Sequence, residues 1–463
     1  MKITLYGAAG NVTGSAYFVQ TTGANLLVDF GAFQGEGESE QQLGDNLPFS
    51  IKNLNSVLLT HGHLDHCGRL PFLTKHGYKN PVYATEATIE LARLILLDSV
   101  KIQKSETERH NRKRLKNGLP PEEMQFSEED VDKVLELFTP VDYNKDIEIA
   151  PGCVVMAHEA GHILGSVSYR LTVTENGKLK TVVFSGDIGP YNMAIVNDPF
   201  PFTKADLVFM ESTYGDRDHR SHEETMKEGT EVVRKAILNK SKIIVPAFAV
   251  GRTQQLLYSM AKSVDLHELD EIPIYLDSPM GIEASKIYAK HIELYDEEAL
   301  ALFKKGVLRG DLSRIHVSVT VEESKALNGL GGPCMIIAGS GMCNAGRVLH
   351  HLRHNLSNPE TAVMITGYQG KGTLGRKLIE GEEKVHIFGE EIEVKAKVYS
   401  LNGLSAHAGQ SDLLKWFSAL APSKPILVLS HGEDRAREPL AEIIREKYGI
   451  NPVLPEYREV IEI

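Results

Sequence analysis

Thr60-His61-Gly62-His63-Leu64-Asp65-His66 follows directly on the apolar run Ser56-Val57-Leu58-Leu59. A short apolar run closed by a polar, glycine-containing turn predicts a strand, so three imidazoles and a carboxylate crowd one strand-to-helix turn. Packing a core never calls for such a cluster, because buried polar groups need partners. Zinc wants nitrogen and oxygen ligands converging on one point, and a catalytic zinc leaves one position open to water. Ligands this close in sequence cannot all reach one tetrahedral ion, which predicts two adjacent metals.

The turn alone supplies too few ligands, so further His or Asp residues are required at other strand ends. His162 lies in Ala160-Gly161-His162-Ile163-Leu164-Gly165-Ser166, just past a predicted strand, and Asp187 lies in Phe184-Ser185-Gly186-Asp187-Ile188-Gly189 at another strand terminus. Taken singly, each also reads as an ordinary turn residue. Their joint occurrence points to metal.

Outward from these motifs, the first third of the chain reads as short β-branched runs closed by glycine-rich turns, at 3–5, 16–20, 25–29 and 56–59. From Thr85 to about Lys116 apolar residues recur at helical spacing. Gly118-Leu119-Pro120-Pro121 then breaks the pattern before a second helix near Ser127 to Phe138, which predicts a helical hairpin. Strands resume at 154–158, 168–173, 181–185 and 207–210. Beyond Tyr214, helices at 223–239 and 252–262 alternate with strands at 242–245, 272–276 and 334–338, the mark of βαβ units on a parallel sheet. The expected division is a first domain over 1–212, an inserted domain over 213–395, and a return over 396–463. In that return, strand Lys397 to Leu401 and the elements after it complete the first domain.

The 463 residues, 42% hydrophobic and 24% charged, with a mean hydropathy of −0.19, exclude disordered, collagen-like and membrane classes. A formal charge of −12 excludes a whole-molecule footprint for nucleic acid, so any nucleic-acid track must be locally basic. The densest basic run is Arg109-His110-Asn111-Arg112-Lys113-Arg114-Leu115-Lys116; it reads either as a steering surface for a polyanion or as a solvated hairpin tip. Cys67, Cys153, Cys334 and Cys343 form no CxxC pair, which argues for a reducing compartment and against a thiolate zinc site. The N-terminus shows no apolar core of a secretory signal, and no stretch reaches the ~20 apolar residues of a bilayer span. A cytoplasmic protein without membrane contact is expected.

Asp29, the HGHLDH run, His162 and Asp187 together resemble the successive metal motifs of the metallo-β-lactamase fold. Downstream, Phe209-Met210-Glu211-Ser212-Thr213-Tyr214-Gly215, Leu404-Ser405-Ala406-His407 and Leu429-Ser430-His431-Gly432-Glu433 resemble the three extra motifs of the β-CASP nucleases, the group that includes the 3′-end-processing endonuclease of messenger RNA. Pro246-Ala247-Phe248-Ala249-Val250-Gly251-Arg252 and Gly339-Ser340-Gly341-Met342 are similar to loops of the inserted β-CASP domain. The resemblance implies an α/β fold: a metallo-β-lactamase αβ/βα sandwich with an inserted β-CASP domain built on a parallel sheet, and a metal cleft between the two.

Residue by residue, the resemblance implies two zinc ions per chain. His61, His63 and His162 hold one, Asp65, His66 and His431 the other, and Asp187 bridges them. Asp29 fixes a ligand imidazole without touching metal, a role typically worth ~10–100-fold in affinity or activity. A hydroxide shared by the ions attacks phosphorus, His407 is the general acid for the departing sugar oxygen, and Glu211 keeps His407 protonated and aimed. The Gly339-Ser340-Gly341 turn offers backbone amides to a phosphate, and Arg252 and Arg347, with Lys371 and Arg376, are candidates for tracking the nucleic-acid backbone.

The activity implied is metal-dependent hydrolysis of RNA, endonucleolytic on single strands; His431 stands where DNA-acting relatives tend to carry an apolar residue. The alternatives are a 5′-to-3′ exoribonuclease, whose usual extra C-terminal domain has no room in the 32 residues after His431, a small-molecule metallo-hydrolase, and a scaffold subunit that has lost catalysis. RNA is the expected partner, with a homodimer and RNA-processing proteins left open.

Overall fold

A computed structural model describes residues 1–33, 47–262, 272–306 and 315–463. The chain divides into two compact units, the first comprising Met1–Tyr191, Asp198–Asp218 and His407–Ile463, the second Asn192–Asn197 and His219–Ala406.

The first unit holds two sheets. In the seven-stranded sheet the order is Val460–Glu462, Lys2–Leu5, Tyr17–Gln20, Asn25–Val28, Leu54–Leu58, Val82–Ala84, Phe138–Pro140. In the six-stranded sheet it is Ile426–Ser430, Leu207–Glu211, Lys178–Phe184, Val167–Glu175, Cys153–Glu159, Asp146–Ala150. Successive side chains on a strand point to opposite faces, and these strands are apolar on both. Ile3, Leu5, Leu26 and Val28 meet Val155, Leu171, Val182, Phe184 and Phe209 between the sheets. The alternate residues Leu27, Val57 and Leu59 pack outward on Ala92, Leu96 and Val100 of helix Glu86–Lys116 and on Val131 and Val134 of helix Glu128–Glu136. On the far side Val183, Val208, Met210 and Leu429 pack on Trp416 and Phe417 of helix Gln410–Ser418 and on Leu440 and Ile444 of helix Asp434–Tyr448. The result is the expected αβ/βα sandwich.

The second unit is built on a six-stranded sheet in the order Ile315–Val317, Ile274–Asp277, Cys334–Ala338, Lys242–Pro246, Ala362–Ile365, Lys397–Ser400, with every pair parallel. Its central strands are buried at every residue, as a parallel sheet covered on both faces requires.

The expected helical hairpin is present. Thr85 caps the long helix by accepting from the Thr88 amide, and Ser127 with Asp130 forms a capping box on the second helix. Phe138, expected as that helix's last residue, opens a strand instead. Lys397–Ser400 differs more: rather than completing the first domain, it pairs with Ala362–Ile365 at the edge of the second unit's sheet, which otherwise presents an unpaired ladder. After the turn at Gly339 the next helix starts at Arg347.

The segment after Asn25–Val28 is seated on the metal-motif turn by backbone bonds. The amides of Phe30 and Ala32 donate to the carbonyls of His66 and Leu64, at 2.8 Å each. Gly31 lies between them, and a Cβ there would sit 1.5 Å from the Asp65 carbonyl oxygen. Gly31→Ala is expected to destabilise the chain by about 1–3 kcal/mol, the usual range for overpacking. Gly329→Ala, where a Cβ meets nothing within 4 Å, is expected to be neutral or stabilising. Urea denaturation of both variants checks the contrast.

Candidate metal centre

The strand Leu54–Leu58 delivers His61 and His63, the helical turn Leu64–Cys67 carries Asp65 and His66, and His162, Asp187 and His431 follow the ends of Cys153–Glu159, Lys178–Phe184 and Ile426–Ser430. Elements far apart in sequence thus converge. Two groups of donors form. In the first, His63 Nδ1 lies 3.1 Å from both His61 Nε2 and His162 Nε2, and Asp187 Oδ2 lies 3.4 Å and 3.5 Å from those two nitrogens. In the second, His431 Nε2 lies 3.3 Å from His66 Nε2 and 3.5 Å from Asp65 Oδ2, while Asp187 Oδ1 lies 3.2 Å from His66 Nε2. One carboxylate therefore presents one oxygen to each group.

These separations suit a cation. Ligands at the ~2.0–2.1 Å of zinc–nitrogen bonds in a tetrahedron stand about 3.3 Å apart. Asp187 Oδ1 is buried and makes no hydrogen bond, an arrangement that leaves a costly unsatisfied acceptor unless a cation faces it. Nitrogen and carboxylate oxygen are the donor set zinc prefers. His407 also stands close enough to Asp187 and His431 to share an ion with them, a third grouping that the sequence did not suggest.

Neighbours hold the imidazoles in the required tautomers. Asp29 is buried, and its Oδ2 accepts from His66 Nδ1 at 2.7 Å and from the Thr60 hydroxyl at 2.8 Å. Its Oδ1 accepts from the Thr60 amide. Since the Thr60 hydroxyl donates to Asp29, it accepts from His61 Nδ1, 3.1 Å away. Thr213 acts likewise on His431, donating to its carbonyl and receiving from Nδ1 at 3.2 Å. In all three rings Nε2 is left with its lone pair facing the cluster. Asp29 and His431 both sit at positive φ, 56° and 49°, a conformation that Asp and His tolerate better than most residues.

The electrostatics follow from this burial. Burial pushes His61 and His63 below the usual histidine range, with neighbouring imidazoles adding to it. Burial also opposes a charge on His66, but Asp187 and Asp29 overcome it and raise its pKa well above the usual value. Burial works against the ionised carboxyl of Asp187, yet His431, His66 and His61 hold it well below the usual carboxylate range. At the rim, His407 Nδ1 lies 3.2 Å from Glu211 Oε1. Burial disfavours its charged form, and the Glu211 carboxylate outweighs that by charge and hydrogen bond, so its pKa is raised. Glu211 is fixed by the Ile188 amide, 2.7 Å from the same oxygen.

Three family descriptions match the chain: Metallo-beta-lactamase superfamily over residues 9–247, Beta-Casp domain over 253–378, and Zn-dependent metallo-hydrolase RNA specificity domain over 391–455. Ribonuclease TTHA0252 of Thermus thermophilus is 38% identical over 96% of either chain. The chain belongs to the metallo-β-lactamase superfamily. Within that superfamily it is also similar to the transcription termination factors FttA of Methanocaldococcus jannaschii, 29% identical over all of this chain and 72% of the relative, and Pyrococcus horikoshii, 30% identical over all of this chain and 71% of the relative. A crystal structure of a protein of unknown function from Enterococcus faecalis V583 shares the fold, with a TM-score of 0.52 at 14% identity over 100% of this chain and 99% of that one. With the superfamily come its fold and its chemistry, metal-dependent hydrolysis.

Ser340, Gly341, Arg252 and Arg347, read with Lys371 and Arg376 as substrate contacts, lie in the second unit, each with partners there. Arg347 donates to Asp277 Oδ1 at 2.7 Å and to the carbonyls of Ser318 and Val319. Arg252 is buried and donates to Gln255. The Ser340 hydroxyl closes its own loop onto Ala345, and Gly341 lies against the Phe248 ring. Sequence reasoning missed Thr60, Thr213 and Arg69. The last is buried beneath the turn and donates to the carbonyls of Gly31 and Gly14. Adjacency to the metal motifs is the only signal that could have flagged them. Cys67, Cys153, Cys334 and Cys343 are buried and unpaired, and no described helix is long and apolar enough to cross a membrane.

Asp29→Ala, which frees the His66 ring, is expected to weaken zinc binding about 10–100-fold. Competition with a chromogenic chelator measures this, and an unchanged affinity would contradict the role given to Asp29.

Proposed function

We propose that this chain is a zinc-dependent ribonuclease that cuts single-stranded RNA internally and holds two zinc ions. The observation that carries the reading is Asp187, whose two oxygens face two separate donor groups. His61, His63 and His162 would hold one ion, Asp65, His66 and His431 the other, with Asp187 shared. Two such cations supply Lewis acidity, which acidifies water and draws off charge from a phosphodiester undergoing attack. The similarity to a ribonuclease and to termination factors supports RNA as the substrate. The four unpaired thiols fit a cytoplasmic setting.

The proton for the departing sugar oxygen comes from His407. Its side chain keeps 17% of its surface exposed beside the buried cluster, and Nδ1 is tied to Glu211. Glu211, whose carboxylate is nearly sealed from water, keeps the ring charged and aimed. His407→Ala is expected to lose about 10²–10⁴-fold in rate with its zinc content intact. Because Glu211 raises the pKa of His407, activity falls on the alkaline side as that proton is lost, and Glu211→Gln moves this limb to lower pH. A pH–rate profile in which the limb stays put would remove Glu211 from the mechanism.

The deciding experiment incubates the zinc-loaded chain with an internally labelled single-stranded RNA closed into a circle. Opening of the circle by wild type but not by His63→Ala is expected. An intact circle together with shortening of the matched linear 5′-phosphorylated RNA would instead make the enzyme an exonuclease.

A further inference from the structure

The long helix Glu86–Lys116 does two different things along its length. Its first half is core: Leu91, Ala92, Leu96 and Val100 are buried, and Gly62 of the metal-motif turn packs against Leu91 and Ala92. Beyond Val100 none of its side chains is buried, and the sequence becomes Lys101-Ile102-Gln103-Lys104-Ser105-Glu106-Thr107-Glu108-Arg109-His110-Asn111-Arg112-Lys113-Arg114-Leu115-Lys116.

Successive helical residues advance by about 100°, so Lys101, Arg109, Arg112, Lys113 and Lys116 fall within one arc of about 120°. All five are exposed, and none is ion-paired with another of the described residues. The opposite arc carries Gln103, Thr107, Asn111 and Arg114, which are half-buried. That side docks on the returning segment: Asn111 bonds the backbone of Glu122 twice, and Arg114 pairs with the Glu122 carboxylate and donates to the Pro120 carbonyl. Lys104, at the border, pairs with Glu128. The acidic partners of the docked side lie beneath the helix; of the helix's own carboxylates Glu106 and Glu108 flank the outer arc on its two margins and Asp98 faces Lys101 one turn earlier, so that from Lys101 onward the arc itself carries five cations and no carboxylate.

We propose that this row binds the phosphate backbone of the RNA beyond the bond being cut, an inference that rests on the ribonuclease reading. At 1.5 Å per residue the row is about 22 Å long and begins about 15 Å along the helix from Leu91, so it leads away from the metal-motif turn within the same unit. A chain of net charge −12 repels a polyanion at long range, and a local basic track offsets that repulsion where the substrate must run. The exposed guanidiniums of Arg109 and Arg112 suit phosphate oxygens.

The test replaces the five cations together with Gln, a good helix former, and compares this variant with wild type and with a charge-conserving variant (K101R, R109K, R112K, K113R, K116R). Binding of a long fluorescent single-stranded RNA is followed by anisotropy over a salt series, and turnover of bis-p-nitrophenyl phosphate reports the metal site alone. The expected result is RNA affinity weakened about tenfold or more at low salt, with the log–log salt slope shallower by about 0.7 for each phosphate that is no longer neutralised. Turnover of the small diester and the helical circular-dichroism signal are expected to be unchanged, and the charge-conserving variant to bind like wild type. Unchanged RNA affinity in the Gln variant overturns the proposal; if binding of polyglutamate is lost at the same time, the face belongs to an acidic protein partner. A wild type that binds RNA through this row yet cuts none leaves the surface standing and removes the ribonuclease reading instead.

Discussion

The carboxylate of Asp187 is about 1% exposed and ringed by imidazoles of His61, His66, His162 and His431 on its two sides. A buried carboxylate among neutral rings is heavily penalised, and several neutral rings turned lone pair inward repel one another at these distances. Charge of the opposite sign must enter the cluster. Protons do this in part, which is why His66 is driven up and Asp187 down, but with Nδ1 already bonded outward to Asp29, Thr60 and Thr213 protons cannot fill every inward Nε2 without setting charged rings against one another. Cations can. The neighbours of the cluster are therefore arranged for metal rather than for an ordinary buried ion-pair network.

The sandwich makes this convergence possible. Strand alternation commits each side chain within the strands to a face, either between the sheets or under the outer helices. Only residues just past the strand ends are free of that commitment, and the donors sit there: after Leu54–Leu58, Cys153–Glu159, Lys178–Phe184 and Ile426–Ser430. Glu211 closes its own strand, and His407 precedes the helix Gln410–Ser418. Gly31 and Gly189 let backbones meet where a Cβ would collide with the carbonyls of Asp65 and Gly161, so the turns bearing the His and Asp donors are held by main chain rather than by the donor side chains themselves.

Much of this was legible because polar residues in the wrong place for packing stand out. The His and Asp donors packed into His61 to His66 admit little other reading, and the alternation of helix and strand beyond Tyr214 announced a parallel sheet. Thr60, Thr213 and Arg69 were not legible, since a hydroxyl or an arginine in a turn is commonplace and only geometry shows which imidazole or carbonyl it engages. Lys397–Ser400 escaped for a related reason: strand propensity is local, whereas the partner, Ala362–Ile365, is set by which edge is open. Arg347 has the sequence context of a phosphate contact, but Asp277, buried and also bonded by His351 and Ser324, occupies it.

The most direct test of a carboxylate shared between two cations is diffraction from crystals of the zinc-loaded chain, with anomalous data collected on both sides of the zinc absorption edge. Two anomalous peaks flanking Asp187, one among His61, His63 and His162 and one among Asp65, His66 and His431, are expected. A single peak, with Asp187 bound through one oxygen only, would contradict the reading of the site.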